Sequence, residues 1–166
     1  RPTPERKPRQ GGVRQAPPLS PTTTRTAVLK DYPDHHDAEL VLQMYDLRRE
    51  AVMRESRQAI ARTFWPRTFD DVLAVTKPDH PLNAPFRQVA GYWEMVYGMA
   101  KHGIVHADFL LESNGEGLFL YARVAPFLEP YRKAFSPRGF QNAEWIVTHS
   151  ELGKQLLTMF RGRVEQ

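Results

Sequence analysis

Residues 85–103 constrain the fold more than any other part of the chain, because they carry both helix-end signals and an unbroken apolar stripe. Proline is favoured in the first turn of a helix and glycine just beyond its last residue, which fits Pro85 and Gly103. Apolar side chains recur between them at spacings of three and four: Phe86, Val89, Trp93, Val96 and Ala100. Side chains at those spacings share one face of a helix. The sequence therefore predicts a central helix that the other elements cover.

Five further helices are expected around the central one, because caps, chain breakers and apolar periodicity delimit them. They cover about residues 34–63, 68–75, 107–112, 117–135 and 142–162. Pro126 and Pro130 are expected to kink or divide the helix over 117–135, since each removes a backbone hydrogen bond. No run alternates with a period of two, so the predicted fold class is all-α, a bundle of about six helices.

Polar side chains mark the expected starts of these helices. Asp34 or Asp37 is the expected N-cap of the first helix, and Asn142 that of the last. Thr68 with Asp71 forms a capping signature for the short helix over 68–75. The apolar face of the first helix is expected to carry Leu40, Met44, Leu47 and Ala51.

Positive charge is concentrated at the start of the chain. Residues 1–30 contain six of the fourteen prolines and carry +6, from seven basic residues and one acid, and since the whole chain carries +4, residues 31–166 carry −2. The basic residues are Arg1, Arg6, Lys7, Arg9, Arg14, Arg25 and Lys30. A segment with so little apolar surface is expected to be an extended or disordered arm, followed by a helical domain over 31–166. The arm is either a solvated linker or a segment that folds onto a partner.

Several kinds of chemistry are excluded or disfavoured. The chain has no cysteine, which excludes disulfides, thiolate metal sites and cysteine nucleophiles. His102 and His106 are four residues apart, but Gly103 between them is expected to end the helix, so a shared metal ion is not predicted. The sequence shows neither a glycine-rich phosphate loop nor a nucleophile motif. We therefore expect no catalytic residue, no metal and no cofactor.

Three segments carry a resemblance that covers about residues 40–149. They read MYDLRREAVMRESRQ, GYWEMVYGMAKHGIVHADFL and YARVAPFLEPYRKAF. Together they resemble a family of bacterial all-helical domains of unknown function. The resemblance implies a small helical bundle, often found in membrane-associated or other larger architectures, and implies no activity.

Two parts of the chain are candidates for contact with a partner: the basic arm, and the side chains of the central helix that lie off its apolar stripe. Tyr92, Glu94 and Tyr97 lie there and are, with the basic residues of the arm, the predicted partner contacts. We expect a non-catalytic accessory or scaffold subunit of a larger assembly, in the cytoplasm or at the cytoplasmic face of a membrane. The arm would contact an acidic protein surface, anionic lipid or nucleic-acid phosphate. The alternatives are a ribosome- or RNA-associated factor and an enzyme of unrecognised type.

Overall fold

This computed structural model describes residues 29–165 of the chain. These residues form nine α-helices and no strand. The predicted all-α class is confirmed. A 3₁₀ turn, Ala125–Phe127, joins the sixth helix to the seventh. The helices are α1 His35–Arg49, α2 Ala51–Thr63, α3 Phe69–Ala74, α4 Asn83–Lys101, α5 Ala107–Asn114, α6 Glu116–Val124, α7 Leu128–Ala134, α8 Gln141–His149 and α9 Glu151–Val164.

The predicted central helix is α4. It packs between α2 and α8 and also contacts α5 and α6, while α9 packs on α5, α6 and α8. All five residues of the predicted stripe are at most 3% exposed, which confirms the face that the periodicity indicated. Full burial of one large apolar side chain stabilises the fold by about 1.5–3 kcal/mol. Gly103 follows the helix with φ 68°, a backbone conformation that glycine adopts readily.

The start of α4 lies two residues earlier than predicted, at Asn83 rather than Pro85. Asn83 is buried, and its Nδ2 donates a hydrogen bond of 2.9 Å to the backbone oxygen of Val75. This contact ties the first turn of α4 to the end of α3. Pro85 still lies in the first turn, where its missing N–H has no helical partner to lose.

Two predicted helices are each divided by a residue whose side chain caps the helix that follows. Glu50 ends α1, and its Oε2 accepts a 3.1 Å hydrogen bond from the Met53 backbone N–H. Ser150 ends α8, and its Oγ accepts a 2.9 Å bond from the Gly153 N–H. The prediction of unbroken helices over 34–63 and 142–162 is therefore wrong. Leu47 and Ala51, both expected to face inward, are exposed, Leu47 by 55%.

The other predicted boundaries lie close to those in the structure, except for the N-cap of the last helix. Thr68 and Asp71 form a reciprocal capping box at the start of α3. The helix predicted over 117–135 is divided, because Pro126 lies in the 3₁₀ turn and Pro130 lies in the first turn of α7. Phe140, rather than Asn142, precedes α8, and its φ of 55° is the one positive φ of a non-glycine residue in the described chain.

Lys30 anchors the start of the described chain to α1. Its Nζ lies 2.8 Å from a carboxylate oxygen of Asp34 and 2.9 Å from one of Asp37. Asp34 caps α1 in a reciprocal box with Asp37, as the sequence allowed. Asp37 is fully buried and also accepts a 3.2 Å hydrogen bond from the backbone N–H of His106. Lys30 thus contacts the helical body, whereas the other six basic residues of the predicted arm lie outside the described residues.

Replacing Asp37 by alanine is expected to lower the free energy of unfolding by about 2–3 kcal/mol, because Lys30 and the backbone N–H groups of Asp34 and His106 lose a charged acceptor. The hydrogen bond from Lys30 lowers the pKa of Asp34 to about 2. Burial opposes a low pKa for Asp37, but hydrogen bonds from Lys30 and two backbone N–H groups still lower it. Since both folded-state pKa values lie below the unfolded ones, this stabilisation is present above about pH 4 and is lost as the pH falls toward 2.

Urea unfolding at pH 7 and at pH 3 measures both parts of this expectation. Asp31→Ala is the control, because Asp31 is exposed and its loss should change the unfolding free energy by less than about 0.5 kcal/mol. Equal unfolding free energies for the wild type and the Asp37→Ala variant at pH 7 would contradict the anchoring role of this cluster.

Candidate functional site

Tyr97 lies in the core rather than on a surface. Its side chain has no exposed area, and its Oη donates a 2.9 Å hydrogen bond to the backbone oxygen of Asn114. Its ring stacks on Trp93 with the centroids 5.7 Å apart. Burial raises the pKa of Tyr97 well above its usual range. Its position off the predicted stripe suggested exposure, but α5 and α6 cover this second face of α4, so its contacts in the structure are internal.

Tyr92 and Glu94 also bind neighbouring helices. The half-buried Tyr92 donates a hydrogen bond to the backbone oxygen of Met44 in α1, and burial raises its pKa. Glu94 accepts hydrogen bonds from the backbone N–H groups of Asn142 at 3.1 Å and Ala143 at 2.9 Å. Both N–H groups belong to the first turn of α8 and have no partner within that helix, so Glu94, which lies in α4, caps α8. Burial raises the pKa of Glu94, although these hydrogen bonds oppose the rise.

A groove runs along the face of α4 that the other helices leave open. The exposed residues on this face are Arg87, Gln88, Gly91 and Met95. A depression of about 410 Å³ lies toward α1 and α2, and another of about 450 Å³ lies toward the segment between α7 and α8. Both include Gly91 and Met95, so they form one continuous surface, which we name the outer groove.

The outer groove combines exposed apolar side chains with an arginine at each end. Met95 is 45% exposed and Leu47, on the opposite wall, is 55% exposed. Arg87 and Arg138 are exposed at the two ends of this surface, and within residues 29–165 neither forms an ion pair. The carboxylate of Glu50 faces the Met53 N–H as a helix cap. The groove thus holds two guanidinium groups, at its ends, and two carboxylates, those of Glu50 and Glu94, each of which caps a helix.

A second feature is a cavity of about 80 Å³ between α2, α4 and α6, which we name the inner cavity. Its polar lining residues are Arg57, Glu116 and Arg123. Arg57 binds the Glu116 carboxylate with two parallel hydrogen bonds, from Nε to Oε1 at 2.9 Å and from Nη2 to Oε2. Arg48 Nη1 lies 3.8 Å from the same carboxylate. Two guanidinium groups thus lie beside one carboxylate, and Arg123 adds a further positive charge to the lining of the cavity.

Arg123 is buried, with 2% of its surface exposed. Its Nη1 donates to the backbone oxygens of Ile60 at 3.0 Å and Phe64 at 2.8 Å, so it closes the C-terminal end of α2. The guanidinium lies between two aromatic rings, 4.0 Å from the centroid of Trp65 and 4.2 Å from that of Phe119. Its Nε has no hydrogen-bond partner among the described residues. Burial lowers the pKa of Arg123 to about 10, so the side chain remains cationic at neutral pH.

Comparison with family profiles gives a match to the helical domain. The profile of a domain of unknown function, DUF4760, matches residues 33–150, which is well over half of the 166-residue chain. The chain belongs to this family. The resemblance inferred from the sequence is thereby confirmed at the level of a family of unknown function. Comparison with curated proteins and with solved structures gives no match.

His102 and His106 both lie at helix ends. His106 precedes α5, and its Nδ1 accepts a 3.1 Å hydrogen bond from the Phe109 N–H. His102 is the residue that closes α4. Across residues 29–165 no group of three or more histidine, aspartate or glutamate side chains is placed to hold a metal ion.

Sequence reasoning missed both the outer groove and the inner cavity. The signal for the cavity was present, because Arg123 is the one charged residue in the apolar run GLFLYARVAPFL of residues 117–128. A charged residue in such a run is buried only when it has partners, and those partners lie 59 and 63 residues away in sequence. The groove includes Leu47, which was expected to face inward and is 55% exposed.

Proposed function

We propose that this DUF4760 domain is a non-catalytic accessory or scaffold subunit of a larger protein assembly, and that it docks through the outer groove. The observation that carries the proposal is the pairing of exposed Met95 and Leu47 across one continuous groove. Methionine is flexible and polarizable, so it adapts to apolar side chains of a partner. Exposed apolar residues grouped in a concave surface are typical of interaction sites.

The exposed arginines at the two ends of the groove bear on the kind of partner. Arg87 and Arg138 at the rim favour an acidic segment, because complementary charge raises the association rate and disfavours wrong partners. The +6 charge of residues 1–30 has the same sign. The proposed partner is therefore a protein segment with an apolar stripe flanked by aspartate or glutamate, and the arm adds long-range attraction to the same acidic surface.

No helix within residues 29–165 is long and apolar enough to cross a membrane. Our proposal places the domain in the bacterial cytoplasm or at the cytoplasmic face of a membrane, where it would belong to a soluble or membrane-associated assembly. The +6 charge of residues 1–30 also favours a second candidate, a ribosome- or RNA-associated factor that binds phosphate. The two candidates differ in their response to nuclease.

The contribution of the arm is testable in the full-length chain. Glutamine at all six basic positions before Lys30 removes the charge, whereas a second variant with lysine at the arginines retains it. We expect the glutamine variant to bind the assembly about tenfold more weakly at low salt, with a smaller difference at high salt because ions screen the attraction. Affinity capture of the tagged chains from cell extract at two salt concentrations measures this difference.

The charge-retaining variant is the matched control, and it should bind as the wild type does. Equal capture of the glutamine variant and the wild type at low salt would remove the arm from the proposal. Release of the wild-type chain by nuclease would favour the RNA-associated alternative over an acidic protein partner.

A further inference from the structure

The positive charge of the helical domain is concentrated in three segments that contain no acidic residue. They are residues 56–69 in and after α2, 117–128 in and after α6, and 152–164 in α9. Together these segments carry +7, while residues 31–166 as a whole carry −2, so the remainder of the domain carries −9. A domain that is acidic overall thus has one strongly basic part.

Contacts between aromatic rings bring the three segments to one side of the fold. Trp65, which follows α2, lies edge-on to Phe119 in α6 with the ring centroids 5.7 Å apart. Phe119 in turn packs on Phe160 in α9 at 5.1 Å. Arg163 lies over the ring of Phe160, 5.7 Å from its centroid. The basic segments therefore form one surface rather than three separate ones.

We name the exposed part of this surface, formed by Arg62, Trp65, Arg67 and Arg163, the tryptophan face. We propose that the tryptophan face binds single-stranded nucleic acid, with a base stacked on Trp65 and phosphates bound by the arginines. This inference does not rest on the proposed assembly. It also differs from the RNA-associated alternative, in which the phosphate contacts lie in the arm.

Trp65 is an exposed aromatic ring whose position is fixed. Its side chain is 40% exposed. Its Nε1 donates a 3.1 Å hydrogen bond to the backbone oxygen of Ala61, and the guanidinium of Arg123 covers one face of the ring, 4.0 Å from the centroid. The exposed area therefore lies on the side away from Arg123. A nucleobase can stack on such a face, and a ring that is already held loses little freedom on binding.

The arginines of the tryptophan face are available to phosphate. Arg62, Arg67 and Arg163 are exposed, and none of them forms an ion pair within residues 29–165. The buried Arg123 beneath Trp65 binds backbone oxygens and no carboxylate in the same part of the chain. Guanidinium groups meet the oxygens of a phosphate with two parallel hydrogen bonds. The surroundings of Trp65 thus suit a ligand that carries phosphate.

Acidic side chains flank the three segments but leave the surface positive. Three of these acids are bound by a basic partner: Glu116 by Arg57, Glu129 by Lys133 and Glu151 by Lys154. The other three, Glu55, Asp70 and Glu165, are exposed and form no ion pair among the described residues. Against them stand five arginines without an ion pair, namely Arg62, Arg67, Arg123, Arg161 and Arg163.

The pairing of an open aromatic ring with arginines favours a single strand over other polyanions. The bases of a duplex are stacked on one another, so they do not reach Trp65, and an acidic peptide would use the charge without the stacking. The outer groove is centred on Met95 of α4, away from this surface. Both surfaces can therefore be occupied together, and removal of the nucleic acid would not release a protein partner from the groove.

Fluorescence anisotropy of a labelled 12-nucleotide RNA that does not pair with itself tests the proposal. The purified full-length chain with glutamine at the six basic positions before Lys30 is used, so that the charge of the arm does not contribute. We expect saturable binding of the single strand and about tenfold weaker binding of the matching duplex. Polyglutamate of equal charge should compete poorly at the same ionic strength. Bound RNA should also quench tryptophan emission.

Replacing Trp65 by leucine should weaken binding of the single strand about tenfold, because it removes the stacked base, and should abolish most of the quenching. Trp145→Leu is the matched control. Trp145 is half-buried in α8, where it stacks on His149 rather than beside the basic segments. The same change there should leave the affinity for RNA unaltered.

The double variant Arg62→Gln with Arg163→Gln tests the phosphate contacts. It should weaken binding at low salt and reduce the dependence of log Kd on log salt by about 0.7 for each arginine. Arg87→Gln with Arg138→Gln is the matched control, because these two arginines are equally exposed but lie at the ends of the outer groove. The control should bind RNA as its parent chain does.

Four results would overturn the proposal. They are equal binding of duplex and single strand, equal competition by polyglutamate, equal affinity of the two tryptophan variants, and equal affinity of the two arginine pairs. Equal competition by polyglutamate would indicate a surface for acidic protein instead. If Trp65→Leu fails to fold, the preference for the single strand and the exposed arginine variants decide the matter. All measurements use the purified chain, so this proposal and the proposed function can fail separately.

Discussion

Replacing Met95 by glutamate is expected to release the DUF4760 chain from the proposed assembly. Met95 is shared by both depressions of the outer groove and is 45% exposed, so it lies at the centre of the proposed contact. Loss of a central contact of this kind costs about 2 kcal/mol or more, which is about thirtyfold or more in affinity. A carboxylate at this position would also repel an acidic partner. Size-exclusion chromatography of extract from cells that make the tagged chain would show the shift to lower mass.

Met159→Glu is the matched control for this variant. Met159 is 42% exposed, nearly the same as Met95, but it lies on α9 rather than in the outer groove. The same chemical change there should leave the elution mass unchanged. Dissociation of both variants would indicate a general effect of the added charge. Retention of Met95→Glu in the assembly would contradict docking through the groove.

Replacing Gly117 by alanine is expected to lower the free energy of unfolding by about 3 kcal/mol. A Cβ at this position would lie 2.4 Å from Cγ of Trp93 and 2.5 Å from Oη of Tyr97. Both rings are at most 3% exposed, so neither can move aside into solvent. The absent side chain of Gly117 therefore allows α6 to approach α4 closely. Urea unfolding monitored by circular dichroism measures the difference.

Gly162→Ala is the control for the helix effect of this substitution. A Cβ at Gly162, in α9, would meet no atom within 4 Å. Alanine there should raise the free energy of unfolding by about 0.5–1 kcal/mol, because glycine is the poorer helix former. If Gly117→Ala were as stable as the wild type, close packing of α6 on Trp93 and Tyr97 would not be required for the fold.

The features that the sequence predicted correctly are those set by neighbours within one or two helical turns. The buried stripe of α4 follows from spacings of three and four, and Gly103 ends that helix as its position indicated. Thr68 and Asp71 cap α3 through residues three apart. Each of these signals is complete within a short stretch of sequence, so no knowledge of the tertiary structure was needed.

The features that the sequence did not reveal depend on distant contacts or on a choice between two local structures. Glu50 and Ser150 are compatible with a helix interior, but each side chain instead caps the following helix. Glu94 caps α8 across 48 residues, and Arg123 reaches α2 across 59 residues or more. Tyr97 was assigned to a surface because nothing local shows that α6 covers it. The candidate site therefore emerged only from the packed helices.

The most direct measurement for the proposed function is the native mass of the unmodified chain in extract of the cells that make it, before and after nuclease treatment. An elution mass well above the 19.2 kDa of the single chain is expected, with an acidic protein in the same fraction and no change after nuclease. Elution at 19.2 kDa, or a fall to that mass after nuclease, would contradict an accessory subunit held by an acidic protein partner.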